Sequence, residues 1–147
     1  MGKFTKSVEV EASPEKVFAF ILDKEKMNEV TKGFSEWEPT SKGPAGVGST
    51  AHYVGSAGGK QAEWDMETTE FVKNKKLASR TIGASKFKMT DSFTLEPTAK
   101  GTKMTYSMDY ELPYSVLGKL VDKLKVGKDI DKSMGEMMEN IKKALEA

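Results

Sequence analysis

Along Lys3 to Glu11, Val8 and Val10 fall on one side while Ser7, Glu9 and Glu11 fall on the other. That period of two predicts a half-buried strand. Ser13-Pro14-Glu15 then reads as a helix start, with a hydroxyl to cap, proline in the first turn and an acid at the positive end of the dipole. Val17, Phe18, Ile21 and Leu22 follow at helical spacing, and a second short helix is expected over Lys24 to Thr31, ending at Gly33. Its apolar anchors are Met27 and Val30.

From Phe34 to Glu111 the pattern is that of consecutive antiparallel strands. Phe34–Thr40 and Ser49–Val54 are the first two, and Gly55-Ser56-Ala57-Gly58-Gly59 reads as a loop. Gln61 to Val72 alternates, with Trp64, Met66 and Thr68 opposite Glu63, Asp65 and Glu67. After the charged turn Lys73-Asn74-Lys75-Lys76, Leu77–Ile82 reads as a strand. Lys86–Pro97 follows, with Phe87, Met89, Asp91, Phe93 and Leu95 on one face. Thr98-Ala99-Lys100-Gly101 turns the chain into Thr102–Leu112, which alternates through Met104, Tyr106, Met108 and Tyr110.

Pro113 opens the longest helical pattern. Leu117, Leu120, Val121, Leu124, Ile130, Met134, Met137, Met138, Ile141 and Leu145 keep a 3.6-residue period with one slip, and Gly127 at the slip is a cheap place for a bend or break. A helix of about 32 residues would span about 48 Å, enough to cross a whole sheet. The order is strand, two helices, about six strands, long helix. A sheet of that size needs its apolar face covered, and the last helix is the element able to do it. The expected class is α+β: a curved antiparallel sheet of six to seven strands gripping a long C-terminal helix, with two short helices after strand 1. No repeat or linker divides the chain, so residues 1–147 read as one domain.

Composition narrows the chemistry. The 147 residues carry no cysteine, one histidine and a net charge of +1. Disulfides, thiol catalysis, Cys-ligated zinc and iron–sulfur clusters are excluded, as is any two-imidazole site within one chain. The near-neutral balance argues against a nucleic-acid partner. On the last helix Lys119, Lys123, Lys125, Lys128 and Lys132 interleave with Asp122, Asp129, Asp131 and Glu136, a solvated face rather than a phosphate track. No apolar run is long enough for a transmembrane helix and the first residues lack a signal-peptide core, so a cytoplasmic monomer with no integral membrane association is expected.

Few groups invite a specific chemistry. Gly43-Pro44-Ala45-Gly46-Val47-Gly48 precedes a strand rather than a helix, and no Gly-Lys-[Ser/Thr] is present, so a turn is the better reading than a nucleotide loop. His52 lies on a strand with no carboxylate or nucleophile identifiable beside it, and no His–Asp pair is visible. Glu63, Asp65 and Glu67 form an outward acidic row. Asp91 has inward parity, which is costly unless it is paired, hydrogen-bonded or neutral. Arg80 and Tyr106 are its candidate partners, with the parity of Arg80 open. Methionine is abundant: Met66, Met89, Met104 and Met108 at inward strand positions, Met134, Met137 and Met138 on the helix stripe. Flexible thioethers fill irregular cores and also suit an adaptable apolar pocket.

These elements resemble the helix-grip superfamily, also called START-like or SRPBCC, which includes the birch-pollen-allergen fold, polyketide cyclases and lipid-transfer domains. The resemblance rests on Val8-Glu9-Val10-Glu11-Ala12-Ser13-Pro14-Glu15-Lys16-Val17-Phe18-Ala19-Phe20-Ile21-Leu22-Asp23, on Gly46-Val47-Gly48 before a strand, on Phe93-Thr94-Leu95-Glu96-Pro97 and Gly101-Thr102, and on the long terminal helix. Val30 stands where many relatives carry a tryptophan. The resemblance implies binding or transport of a small hydrophobic or amphipathic ligand between sheet and helix. The expected lining is Trp64, Met66, Met89, Asp91, Tyr106, Met108, Leu120 and Leu124, with no cofactor, metal or catalytic constellation. Two alternatives stand beside it: a cyclase or dehydratase using Asp91, Tyr106 or Arg80 as proton shuttles, and a chaperone-regulator-like or ribosome-associated interaction domain.

Overall fold

Seven strands form one antiparallel sheet in the order β1-β7-β6-β5-β4-β3-β2. The computed structural model describes residues 2–57, 60–84, 87–111 and 120–147, with side chains described for all of these except 57, 60 and 120–123. The elements are β1 (Gly2–Val10), α1 (Pro14–Leu22), α2 (Lys24–Val30), β2 (Ser35–Pro39), β3 (Thr50–Ala57), β4 (Lys60–Val72), β5 (Lys76–Ile82), β6 (Lys88–Pro97), β7 (Thr102–Glu111) and α3 (Leu120–Glu146). The sheet curls into a half-barrel around α3. This is the helix-grip fold.

Local chemistry sets the helix starts. The Ser13 hydroxyl accepts from the Lys16 backbone N–H at 3.3 Å, and Asp23 caps α2 by accepting from Lys26 N–H at 3.0 Å. Thr31 closes α2 from a buried position, its hydroxyl directed at the carbonyls of Met27 and Ser35, both at 2.9 Å. Asn28 then pairs with edge strand β2 as a strand would, donating to Trp37 O at 3.0 Å and accepting from Trp37 N–H at 2.9 Å.

Alternation sends Met104, Tyr106, Met108 and Tyr110 of β7 inward, all buried. Against them pack Val8 and Val10 of β1, Phe93 and Leu95 of β6, and Met138 and Ile141 of α3. The far end of α3 is fastened to β1: the Glu11 N–H donates to Glu146 at 2.9 Å, and the Lys142 ammonium donates to Glu9 O at 2.6 Å. Asn140 donates to the Val30 carbonyl at 3.1 Å, tying α3 to α2.

Three features depart from the pattern read above. Gly55, Ser56 and Ala57 belong to β3, paired with Ala62, Gln61 and Lys60; residues 58 and 59 of the expected loop lie outside the described residues. Their small side chains hide a strand whose backbone pairs with β4. Helix α3 continues without a break through Gly127. There the missing side chain makes room for Tyr110, whose hydroxyl lies 3.4 Å from where a Cβ would stand. The expected start at Pro113, and Leu117 with it, falls outside the described residues. In β4 a bulge between Thr68 and Glu70 inserts one residue, so inward parity passes from Trp64, Met66 and Thr68 to Phe71. Phe71 accordingly meets Phe18 of α1 edge-on at 5.2 Å.

Candidate functional site

The core is sealed only under part of α3. Toward the β2–β3–β4 side, a cavity of about 1070 Å³ remains between the concave face of the sheet and the helices. That is the size of pockets that enclose drug-sized or larger ligands. Trp64, Met66, Met89, Asp91, Tyr106 and Met108 line it, and α3 contributes Val126, Ile130, Ser133, Met134 and Met137. Leu124, expected in the lining, is instead 59% exposed. The helix presents the 126/130/133/137 face to the sheet, so Leu124 falls about half a turn away. The Leu120 side chain lies outside the described residues.

Aromatic rings pave one wall. Trp37 of β2, Tyr53 of β3 and Trp64 of β4 are direct cross-strand neighbours. Their rings stack with centroids 6.2 and 5.8 Å apart and interplanar angles of 19° and 10°. Phe87 meets Trp64 edge-on at 5.2 Å and Tyr110 lies beyond it at 6.4 Å. Cross-strand ring pairs stabilise the sheet and leave broad flat faces toward the cavity. Trp37 and Tyr53 were not singled out from sequence. The period-two signal was present in Trp37 and Tyr53, but short strands gave it little length. The Trp64 indole N–H is buried with no hydrogen-bond partner among the described residues.

Gly55 is what lets this wall lie flat. A Cβ there would stand 2.6 Å from Trp64 Cη2 and 3.2 Å from the Phe34 carbonyl oxygen. Gly55→Ala is expected to displace the indole at a cost of about 1–3 kcal/mol. Tryptophan emission and urea denaturation measure it. Wild-type emission and stability together would mean that the ring packs elsewhere.

Asp91 supplies the polar element. Its carboxyl faces the cavity and accepts from the Tyr106 hydroxyl at 2.7 Å. Desolvation raises its pKa from 3.8 to about 6, against the smaller lowering effect of the Tyr106 bond. Burial likewise pushes the Tyr53 and Tyr106 phenols upward, with the field of Asp91 adding to both. Arg80 is not its partner: it shares register with Glu67 and Thr90 on the outer face, where its guanidinium meets Glu67 at 3.2 Å.

His52 corrects another expectation. Although no His–Asp pair was visible in the sequence, Nδ1 lies 2.8 Å from Asp65 and Nε2 3.1 Å from Glu63. These hydrogen bonds, Asp65 first and Glu63 second, raise the imidazole above its ordinary value of 6.5. The pairing arises because β3 and β4 place His52 directly opposite Asp65 on the outer face. It lies on the far side of the sheet from Asp91 and Tyr106. Among the described residues no group of three or more His, Cys, Asp or Glu side chains is arranged to hold a metal ion. Also among them, no helix is long and apolar enough to cross a membrane.

A model of the polyketide cyclase/dehydrase and lipid transport family matches residues 1–146. The chain belongs to that family. Within the START-like superfamily its fold is similar to the Zhui aromatase/cyclase from Streptomyces sp. R1128, with a TM-score of 0.79 at 13% identity over 98% of this chain and 93% of that one. It is also similar to Ara h 8.0201, with a TM-score of 0.68 at 15% identity, covering 97% and 96% of the two chains. TTHA0849 from Thermus thermophilus gives 0.70 at 21% identity, covering 97% of each. Identities this low speak to the fold alone. Comparison with curated protein sequences finds no match.

Proposed function

We propose that this family member binds a small hydrophobic or amphipathic molecule in the cavity between the sheet and α3. The observation that carries the reading is a cavity of about 1070 Å³ lined by flexible methionines and flat aromatic faces, with a half-buried carboxyl hydrogen-bonded to a buried phenol inside it. Apolar walls supply affinity by removing ligand surface from water, and the Asp91–Tyr106 pair fixes the orientation of one polar group. Methionine side chains adapt to differently shaped occupants, which favours breadth over tight selection. The family's description as cyclases, dehydrases and lipid carriers supports the same cavity as the working part of the chain.

Titration with N-phenyl-1-naphthylamine, a neutral fluorescent probe, tests this in protein with 13C-labelled methionine methyls. Shifts at Met66, Met89, Met108 and Met134, with Met104 and Met138 silent, are the expected result. Shifts confined to surface or terminal residues would remove the basis for the reading. Native mass spectrometry of freshly purified protein then looks for the molecule it carries.

A cyclase or dehydratase activity is the second reading, and one observation favours it. Burial brings Asp91 to about 6, within reach of neutral pH as a proton donor or acceptor, with Tyr106 at 2.7 Å as a relay. In that case Asp91→Asn would lower turnover by roughly 10²–10⁴-fold with binding retained. As an anchor alone, the same change would alter affinity by only about 1–2 kcal/mol.

A further inference from the structure

We infer that the polar group this cavity accepts is a cationic one, so that its preferred occupant is a planar or aryl-substituted amine rather than a fatty acid or other carboxylate. The inference rests on the proposed binding function and names its ligand class. Asp91 is a half-buried carboxylate that lines the cavity with Met89, Phe93, Tyr106 and Tyr53, and among the described residues no Lys, Arg or His forms an ion pair with it. The Tyr106 hydroxyl is the one side-chain donor it has among them. The fold has already removed part of the carboxylate's water shell, so a ligand cation gains its attraction while part of the protein's desolvation cost is spent. A charge-assisted N–H···O bond is about twice as strong as a neutral one. An anionic head group would place a second negative charge beside the first.

The walls favour the same class. Tyr53 and Tyr106 present rings beside the carboxylate, and the Trp37–Tyr53–Trp64 stack continues the aromatic surface toward the edge strand. Ring faces attract organic cations and stack on planar ligand bodies. Among the described residues, the other charges around the cavity have partners of their own. Lys24 at the mouth pairs with Glu38, Glu63 is held by His52, and Lys6, which neighbours Tyr106 on β1, pairs with Glu139 of α3. Among the described residues, Tyr53 from β3 and Tyr106 from β7 are the titratable groups whose electrostatics couple to Asp91, and both stay neutral hydroxyls.

The test uses three fluorescent probes with one tricyclic body: anthracenylmethylamine, anthracenemethanol and anthracenecarboxylate. At pH 7.5 the amine is expected to bind about tenfold or more tighter than the alcohol, and the carboxylate weakest. In Asp91→Asn the amine loses its advantage over the alcohol, because the amide keeps a hydrogen-bonding partner but no charge. With the wild-type chain, no variant needed, the amine's advantage shrinks roughly fivefold between pH 7.5 and pH 5, because Asp91 titrates near 6. If the alcohol binds and shifts the cavity methionines while the amine shows no advantage, or keeps it in Asp91→Asn, the inference is overturned and the binding cavity stands. If none of the three shifts those methionines, the cavity reading falls and takes the inference with it.

Discussion

Asp91→Asn is expected to stabilise the protein at pH 8 by about 1–3 kcal/mol, an unusual direction for the loss of a half-buried, hydrogen-bonded charge. The reason is the direction of the pKa shift. Most carboxylates in folded proteins are held below their unfolded value and contribute stability above it. Asp91 is raised, from 3.8 to about 6, because burial disfavours its charged form more than the Tyr106 bond favours it. Between those two values the folded chain binds more protons than the unfolded one, so stability falls as pH rises through that window. Above about 6 the penalty is fully present; below 3.8 both states are protonated and it vanishes. An asparagine keeps an oxygen for the Tyr106 hydroxyl and carries no charge to desolvate. Urea denaturation of both proteins at pH 4 and pH 8 isolates the site, since every other carboxylate cancels in the difference. A variant equally stable at both pH values, or weaker at pH 8, would mean that the Asp91 carboxylate is solvated.

A site that destabilises its own fold at neutral pH has a consequence for binding. The penalty is relieved by whatever supplies a proton or a positive charge to the carboxylate, so part of the affinity for such a ligand is stored in the empty protein. Tyr106 does not remove the penalty, because the lowering effect of its hydrogen bond is smaller than the raising effect of desolvation. The carboxylate is thus incompletely compensated inside a cavity wide enough to admit what would complete it.

How much of this was legible in the sequence depended on whether side chains or backbone carried the signal. The alternation of Met89, Asp91, Phe93 and Leu95 is a side-chain pattern, and it places Asp91 inward, as the structure does. The parity of Arg80 was open because β5 mixes Ala, Ser and Thr with only Leu77 and Ile82 as apolar markers; the ladder with Glu67 and Thr90 decides it. The bulge after Thr68 was not readable, since an inserted threonine in a run of Glu-Thr-Thr-Glu leaves no hydrophobic trace. Gly55 through Ala57 read as loop for a related reason: a strand residue without a side chain looks like a turn until its neighbour is seen. The pairing of His52 with Asp65 needed the β3–β4 register, which residues 58 and 59 interrupt in sequence. Leu124 was misplaced because the slip near Gly127 leaves the phase of the helix ambiguous by a fraction of a turn.

The methionine stripe of α3 is where sequence could not separate core from cavity, and truncation separates them. Met138 is fully buried and packs in the sealed part of the core. Met138→Ala is expected to cost about 3–5 kcal/mol, because the lost thioether leaves a void that the surrounding core cannot close. Met134, one turn earlier, is only partly buried and faces the cavity. Met134→Ala enlarges a space that already exists, so no new enclosed void forms and the expected cost is about 1 kcal/mol or less. The two side chains are chemically identical and share one helix, so propensity terms cancel and the contrast reports the packing alone. Urea midpoints with unchanged m-values measure it. Equal losses of several kcal/mol at both positions would show that the space beside Met134 is filled and that the interior is an ordinary core. A loss confined to Met138 would mark the boundary between the part of α3 that the sheet grips and the part it leaves free to line a ligand.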